Sequence, residues 1–220
     1  MLTRALVAIN VIAYIWQRTS NGVDTDEGLL AHGALLGTAV MAGDWWRIVT
    51  GAFLHGGEMH LLFNMIALWQ VGSFVEQIFG TPRMAAIYAV SGIGSGLLVT
   101  YLDPTDVTVG ASGAIFGLFG ALVVAGLRLG PLGRSLLQQS IGIIVVNLII
   151  SFTFPNISKT GHIGGLLSGF VAALILFRRP AVLVAEPRAA EAVVDLHDDP
   201  GVETIEQLPD EVPRAPEHPR

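Results

Sequence analysis

The chain has 220 residues, 52% of them hydrophobic and only 14% charged, against about 25% charged in soluble domains. That balance, with a mean hydropathy of +0.61, excludes an ordinary soluble domain and points to a chain embedded in lipid, because the apolar residues fall in blocks rather than at amphipathic spacing. The formal charge of −6 divides unevenly: residues 1–179 hold nine basic and eight acidic side chains, residues 180–220 three and ten.

Apolar windows predict helices near 2–17, 58–78, 84–102, 112–128, 136–153 and 162–178, an all-α membrane domain of six spans over residues 1–179. The first window runs into Trp16-Gln17-Arg18 with no small-residue cleavage site, so it reads as a retained helix and not a signal peptide. Residues 18–57 form a long loop with an apolar middle, Leu29–Met41, and an Asp44-Trp45-Trp46-Arg47 run suited to the headgroup level. Gly92-Ile93-Gly94-Ser95-Gly96 lies inside the third window, where small residues permit close helix packing. Residues 180–220 carry seven of the eleven prolines and few large apolar residues, the pattern of a disordered acidic tail. Arg4, Arg83, Arg128, Arg134, Arg178 and Arg179 fall on one side of a six-span alternation, with Arg18, Arg47 and Lys159 on the other. The positive-inside rule therefore predicts that both termini are cytoplasmic.

Polar side chains inside spans are costly and need an account. His55, His60 and His162 gather at the outer starts of the second and sixth windows, Ser112 opens the fourth, and Asn64 lies one turn below His60. Gly110-Ala111-Ser112-Gly113 sets a hydroxyl among small residues at a helix start, where bare N–H groups can hold a developing oxyanion. An N-cap with packing glycines would have the same sequence. His162 shares a stripe with Gly165 and Gly169, so it faces whichever helix packs there. If that helix is the fourth, a Ser–His hydrogen bond becomes available and the imidazole can act as general base and then general acid. His60 and Asn64, spaced i, i+4, can supply further oxyanion donors or simply satisfy each other. Phe116, one turn below Ser112, can restrict the imidazole or merely fill the core. Glu76, at the far end of the second window, reads as an anchor of helix ends.

Taken together, Trp46-Arg47, His55, His60-Leu61-Leu62-Phe63-Asn64, Gly110-Ala111-Ser112-Gly113 and Gly161-His162 with Gly165 and Gly169 resemble the rhomboid family of intramembrane serine proteases. The resemblance covers about residues 1–179 and implies a six-helix rhomboid-like bundle. It implies Ser112 as nucleophile, His162 as its base and His60 and Asn64 at the oxyanion, with Phe116, His55, Gly110 and Gly113 in support. It further implies transmembrane-helix substrates and a multi-pass protein of the bacterial inner membrane. The resemblance does not extend to the acidic tail.

Neither a cofactor nor a metal is expected, and no phosphate-binding glycine loop, zinc-finger spacing or basic patch suggests nucleotide or nucleic-acid partners. His55-Gly56-Gly57-Glu58-Met59-His60 raises a metalloprotease alternative, although its spacing matches neither HExxH nor HxxEH. The other alternative is a non-enzymatic protein of the same fold that binds membrane clients. A transporter is disfavoured by the lack of an acidic relay within the spans.

Overall fold

Apolar runs of about 20 residues, interrupted by Gly, Pro or charge, leave the backbone only one way to satisfy its hydrogen bonds in lipid, and the computed structural model is helical accordingly. It describes residues 1–20, 25–153 and 157–178, so the expected tail at 180–220 and Arg179 lie outside the described residues. Among the described residues six long helices appear. They are α1 (Leu2–Thr19), the continuous segment Glu58–Phe79, α7 (Thr81–Leu102), α8 (Ser112–Arg128), α9 (Arg134–Thr153) and α10 (Lys159–Leu176). Among the described residues, Glu58–Phe79, Thr81–Leu102 and Lys159–Leu176 are long and apolar enough to cross a membrane, and Ser112–Arg128 is apolar but shorter. Isolated backbone pairing occurs once among them, where Leu35 and Thr108 form an antiparallel bridge.

The segment Glu58–Phe79 is α5 (Glu58–Ala67) and α6 (Ser73–Phe79) joined through a π-helical turn at Leu68–Gly72. Its lower end is tied to α1. The Glu76 carboxylate accepts from the backbone N–H of Leu2 at 2.7 Å and of Thr3 at 3.0 Å, and from the hydroxyls of Thr3 and Thr81 at 2.8 and 2.7 Å. A helix start leaves its first N–H groups without partners and carries partial positive charge, so one carboxylate satisfies both needs. The anchoring role read from sequence is met here by capping the start of α1.

Three short helices order the long loop: α2 (Asp26–Ala31), α3 (Gly37–Met41) and α4 (Arg47–Thr50). Arg47 gathers them. Its guanidinium donates to the Leu30 and Ala34 carbonyls at 3.0 and 3.1 Å, pairs with Asp44 at 2.9 Å and lies 4.7 Å from the Trp46 ring centroid. The Trp46-Arg47 pair therefore folds the loop, while Trp45 is left 70% exposed.

α8 is the centre of the bundle, with every residue from Gly113 to Leu122 buried. α10 packs against both α8 and α7, and α9 leans mainly on α8. The contact between α8 and α10 is backbone on backbone. A Cβ added at Gly165 would lie 1.9 Å from the Gly113 carbonyl oxygen, and one at Gly169 would lie 2.3 Å from the Gly117 Cα. Small residues at i, i+4 on both helices thus remove the side-chain layer that normally separates helix axes. Gly165→Ala has nowhere to place its methyl and should force the two helices apart. Overpacking of this kind costs on the order of 1–3 kcal/mol, and the unfolding midpoint in detergent should drop by roughly 2–12 °C.

Candidate functional site

Ser112 is the first residue of α8 and Ala111 its N-cap, so Ser112 is not itself the cap, and its own N–H belongs to the group that a helix start leaves without intrahelical acceptors. His162 sits in the first turn of α10, whose N-cap Ser158 accepts from the Gly161 N–H at 3.1 Å. Because glycines bring α8 and α10 into backbone contact, the two side chains reach across the gap: His162 Nε2 lies 2.8 Å from Ser112 Oγ. The imidazole is 6% exposed. Phe116 stacks on it with centroids 4.1 Å apart and planes inclined by 13°. Held by α10 on one side and a parallel ring on the other, the imidazole has little freedom to leave the hydroxyl.

His60 and Asn64 approach from α5. The Asn64 amide donates to the His60 carbonyl at 2.9 Å, a bond within the helix that uses one of its two N–H groups. His60 Nδ1 accepts from the Gly56 N–H at 3.3 Å. A ring nitrogen that accepts carries no proton, so the neutral ring carries its proton on Nε2. Nε2 faces Gly110: a Cβ there would lie 2.7 Å from His60 Nε2 and 3.9 Å from Asn64 Nδ2. Gly110 also adopts φ +119°, a conformation that disfavours any side chain. Two donors from α5 therefore converge on the turn that leads into Ser112. Gly113, next along, is buried between α7 and α10: a Cβ there would strike the Ser95 side chain of α7, while its backbone is what a Cβ at Gly165 of α10 would strike.

His55 is fully buried in the loop before α5, its ring in edge contact with that of His60 at 5.1 Å and 66°. Neither of its ring nitrogens has a hydrogen-bond partner among the described residues. Burial pushes its pKa down to about 3, and the neighbouring His60 adds to the shift. His55 is therefore a neutral wall against His60. What holds its backbone comes from α1. Gln17 of α1 is fully buried, accepts from the His55 N–H at 3.1 Å and donates to the His55 carbonyl at 2.7 Å. A signal existed in the spacing, because Thr3, Asn10 and Gln17, all buried on one face of α1, recur at intervals of seven.

Among the described residues, no three of His, Asp and Glu come together as a metal site requires, and the rings of His55 and His60 meet edge to face without converging on a common point. The polar groups form instead a hydroxyl–imidazole pair with flanking N–H donors, set in a bundle of apolar helices. That is the site of an integral membrane protein built for polar chemistry inside an apolar bundle.

The family model of the Rhomboid domain matches residues 42–179, and the chain belongs to the rhomboid family. It is 37% identical over 179 residues to the rhomboid protease GluP of Bacillus subtilis, a match that covers 79% of this chain and 34% of that protein. It is 30% identical over 200 residues to the rhomboid protease AarA of Providencia stuartii, covering 79% and 71% of the two chains. RHOMBOID-like protein 5 of Arabidopsis thaliana is 38% identical over 161 residues, 71% of this chain and 52% of the relative. The chain thus spans between a third and about half of the length of the GluP and Arabidopsis relatives.

A folded pKa near 3 for His55 lies below the ordinary value of 6.5. The unfolded chain then binds the extra proton between these values, so the contribution to stability is complete above about pH 6.5 and is lost as pH falls toward 3. The acid-side decline in unfolding free energy in detergent should be shallower in His55→Phe than in the wild type, by up to about 1.4 kcal/mol per pH unit for this single proton.

Proposed function

We propose that this chain is an intramembrane serine endopeptidase in which Ser112 attacks a peptide carbonyl of a transmembrane substrate. The observation that carries the reading is the 2.8 Å contact between Ser112 Oγ and His162 Nε2, with the imidazole stacked on Phe116. His162 takes the hydroxyl proton as Oγ bonds to the carbonyl carbon, then passes it to the leaving amine as the scissile C–N bond breaks. Water, deprotonated by the same imidazole, then adds to the acyl carbon, and the proton passes to Ser112 Oγ as the ester bond breaks and the acid product leaves. The negative charge on the tetrahedral oxygen is held by the Ser112 N–H, by His60 Nε2–H and by the second N–H of Asn64, three donors fixed before the reaction begins. His55 and Gly110 shape this pocket, and Gly113 sets the helix contact that fixes the Ser–His distance. The names and similarity of GluP and AarA support the same activity.

In this reading the catalytic domain is residues 1–179, a six-span bundle, with 180–220 as a separate acidic cytoplasmic tail. The helix boundaries and the end of the family match at residue 179 support that division. The charge asymmetry, six arginines on one side of the spans against Arg18, Arg47 and Lys159 on the other, supports both termini in the cytoplasm and the site near the outer face of a bacterial inner membrane. Substrate helices arrive through the bilayer.

A fluorophosphonate should label the purified protein at Ser112, because it needs both an activated hydroxyl and a held oxyanion. Ser112→Ala abolishes labelling. His162→Ala slows it by several orders of magnitude, since catalytic units lose roughly 10⁴–10⁶ when one member goes. His60→Ala and Asn64→Ala slow it on the order of 10²–10³ or less, as other donors remain. Label that persists in folded Ser112→Ala, or equal rates in wild type and His162→Ala, would replace this reading with non-enzymatic client binding. EDTA should leave the rate unchanged, and loss of activity on chelation would instead favour the metalloprotease. Gly110→Ala, by driving a methyl into His60, should reduce the rate at least as much as His60→Ala.

Reporter fusions test the topology separately. A C-terminus on the outer side would reject the six-span arrangement. Removal of residues 180–220 should leave cleavage of a model transmembrane substrate within about twofold, because that stretch holds few large apolar residues and lies beyond the family match.

A further inference from the structure

Gln17 lies near the end of α1, 95 residues before Ser112 in the chain, and nothing about a serine–histidine pair calls for it. Yet it is fully buried and spends both ends of its carboxamide on the backbone of one residue, His55. The next residue in the chain, Gly56, donates its N–H to His60 Nδ1 at 3.3 Å. We propose that Gln17 is a positioning residue of the site: by clamping the His55 backbone it holds the Gly56 N–H on His60 Nδ1, and so keeps the His60 proton on Nε2, the nitrogen that faces Gly110 and the start of α8.

Donors and acceptors decide the tautomer. A backbone N–H can only donate, so Nδ1 must accept and the neutral ring has no choice of tautomer. If the Gly56 amide moves away, Nδ1 and Nε2 compete for the proton. A ring with its proton on Nδ1 then presents a lone pair where an oxyanion needs a donor, which is repulsive as well as unhelpful. Gly56 sits between two fixed points: Gly57 after it caps α5, its carbonyl accepting from the Leu61 N–H at 3.1 Å, and His55 before it is held by the pair of bonds from Gln17 and by burial of its ring. Around Gly56 itself there is room to shift, since a Cβ there would meet nothing closer than 3.8 Å, so releasing the His55 side frees its N–H to move off Nδ1. The device couples α1, which contributes no group to the reaction, to the electrostatics of the oxyanion. It rests on the protease reading for its catalytic consequence but not for its structural content.

Gln17→Met keeps the volume and removes both bonds. In the full chain in detergent, kcat for a model transmembrane substrate should fall about tenfold, less than the loss on deleting an oxyanion donor outright, with KM within about twofold. Nitrogen-15 spectra of histidine-labelled protein, with His60 assigned by its disappearance in His60→Asn, should change from one tautomer, protonated at Nε2, to a mixture. Gly56→Pro deletes the N–H donor without touching Gln17 and should produce the same mixture, which decides the matter should Gln17→Met fail to fold. A folded Gln17→Met with wild-type kcat and a single His60 tautomer overturns the proposal. So does a loss confined to KM with the tautomer unchanged, which would make Gln17 a packing residue. Should the wild type neither cleave nor label, the protease reading fails, while the tautomer comparison still decides whether Gln17 positions His60.

Discussion

Everything at the site depends on how closely α8 and α10 approach. Oγ of serine and Nε2 of histidine have short reaches, and helices spaced by ordinary side chains lie 8–10 Å apart. Gly165 and Gly169 of α10 leave no room for a methyl against the backbone of Gly113 and Gly117 on α8, and those two glycines in turn leave no room for one against Ser95 and Ser91 of α7. Membrane helices gain little hydrophobic drive from meeting each other, since lipid is as apolar as leucine, so close van der Waals contact has to supply the association. The same contact then fixes a polar distance of 2.8 Å. Packing and chemistry are set by one interface, and a change of one atom at that interface acts on both.

Polar side chains elsewhere in the bundle are quieter. Ser91, Thr100, Ser140 and Ser168 each return a hydroxyl to the carbonyl four residues back, at 2.6–2.8 Å, and so settle their cost within their own helix. Ser112 cannot do this, because it begins its helix. Its hydroxyl is directed to a side chain from another helix instead. The contrast separates polar residues that the fold merely tolerates from those it has arranged.

Much of this was legible in the sequence. Apolar blocks located all six long helices to within a few residues of their observed ends, and the glycine stripe beside His162 foretold a close neighbour without saying which helix it would be. What could not be read was whatever depends on backbone groups distant in the chain. Arg47 bonds to the carbonyls of Leu30 and Ala34, and Gln17 to both backbone groups of His55, and a carbonyl leaves no mark in composition or spacing. The heptad recurrence of Thr3, Asn10 and Gln17 marked a buried polar face on α1 but named no partner.

The π turn at Leu68–Gly72 has a geometric consequence for the helix that contains it. His60, Asn64, Leu68, Gly72 and Glu76 follow one another in steps of four. In an ideal α-helix of 3.6 residues per turn, sixteen residues carry the last of them about 160° around the axis from the first, nearly to the opposite face. The wider i→i+5 winding takes back part of that rotation. One helix can thereby turn His60 and Asn64 toward the start of α8 at one end and Glu76 toward the start of α1 at the other. The loosened turn acts as a phase correction, paid in irregular backbone, that lets a single rod serve two sockets a membrane's breadth apart.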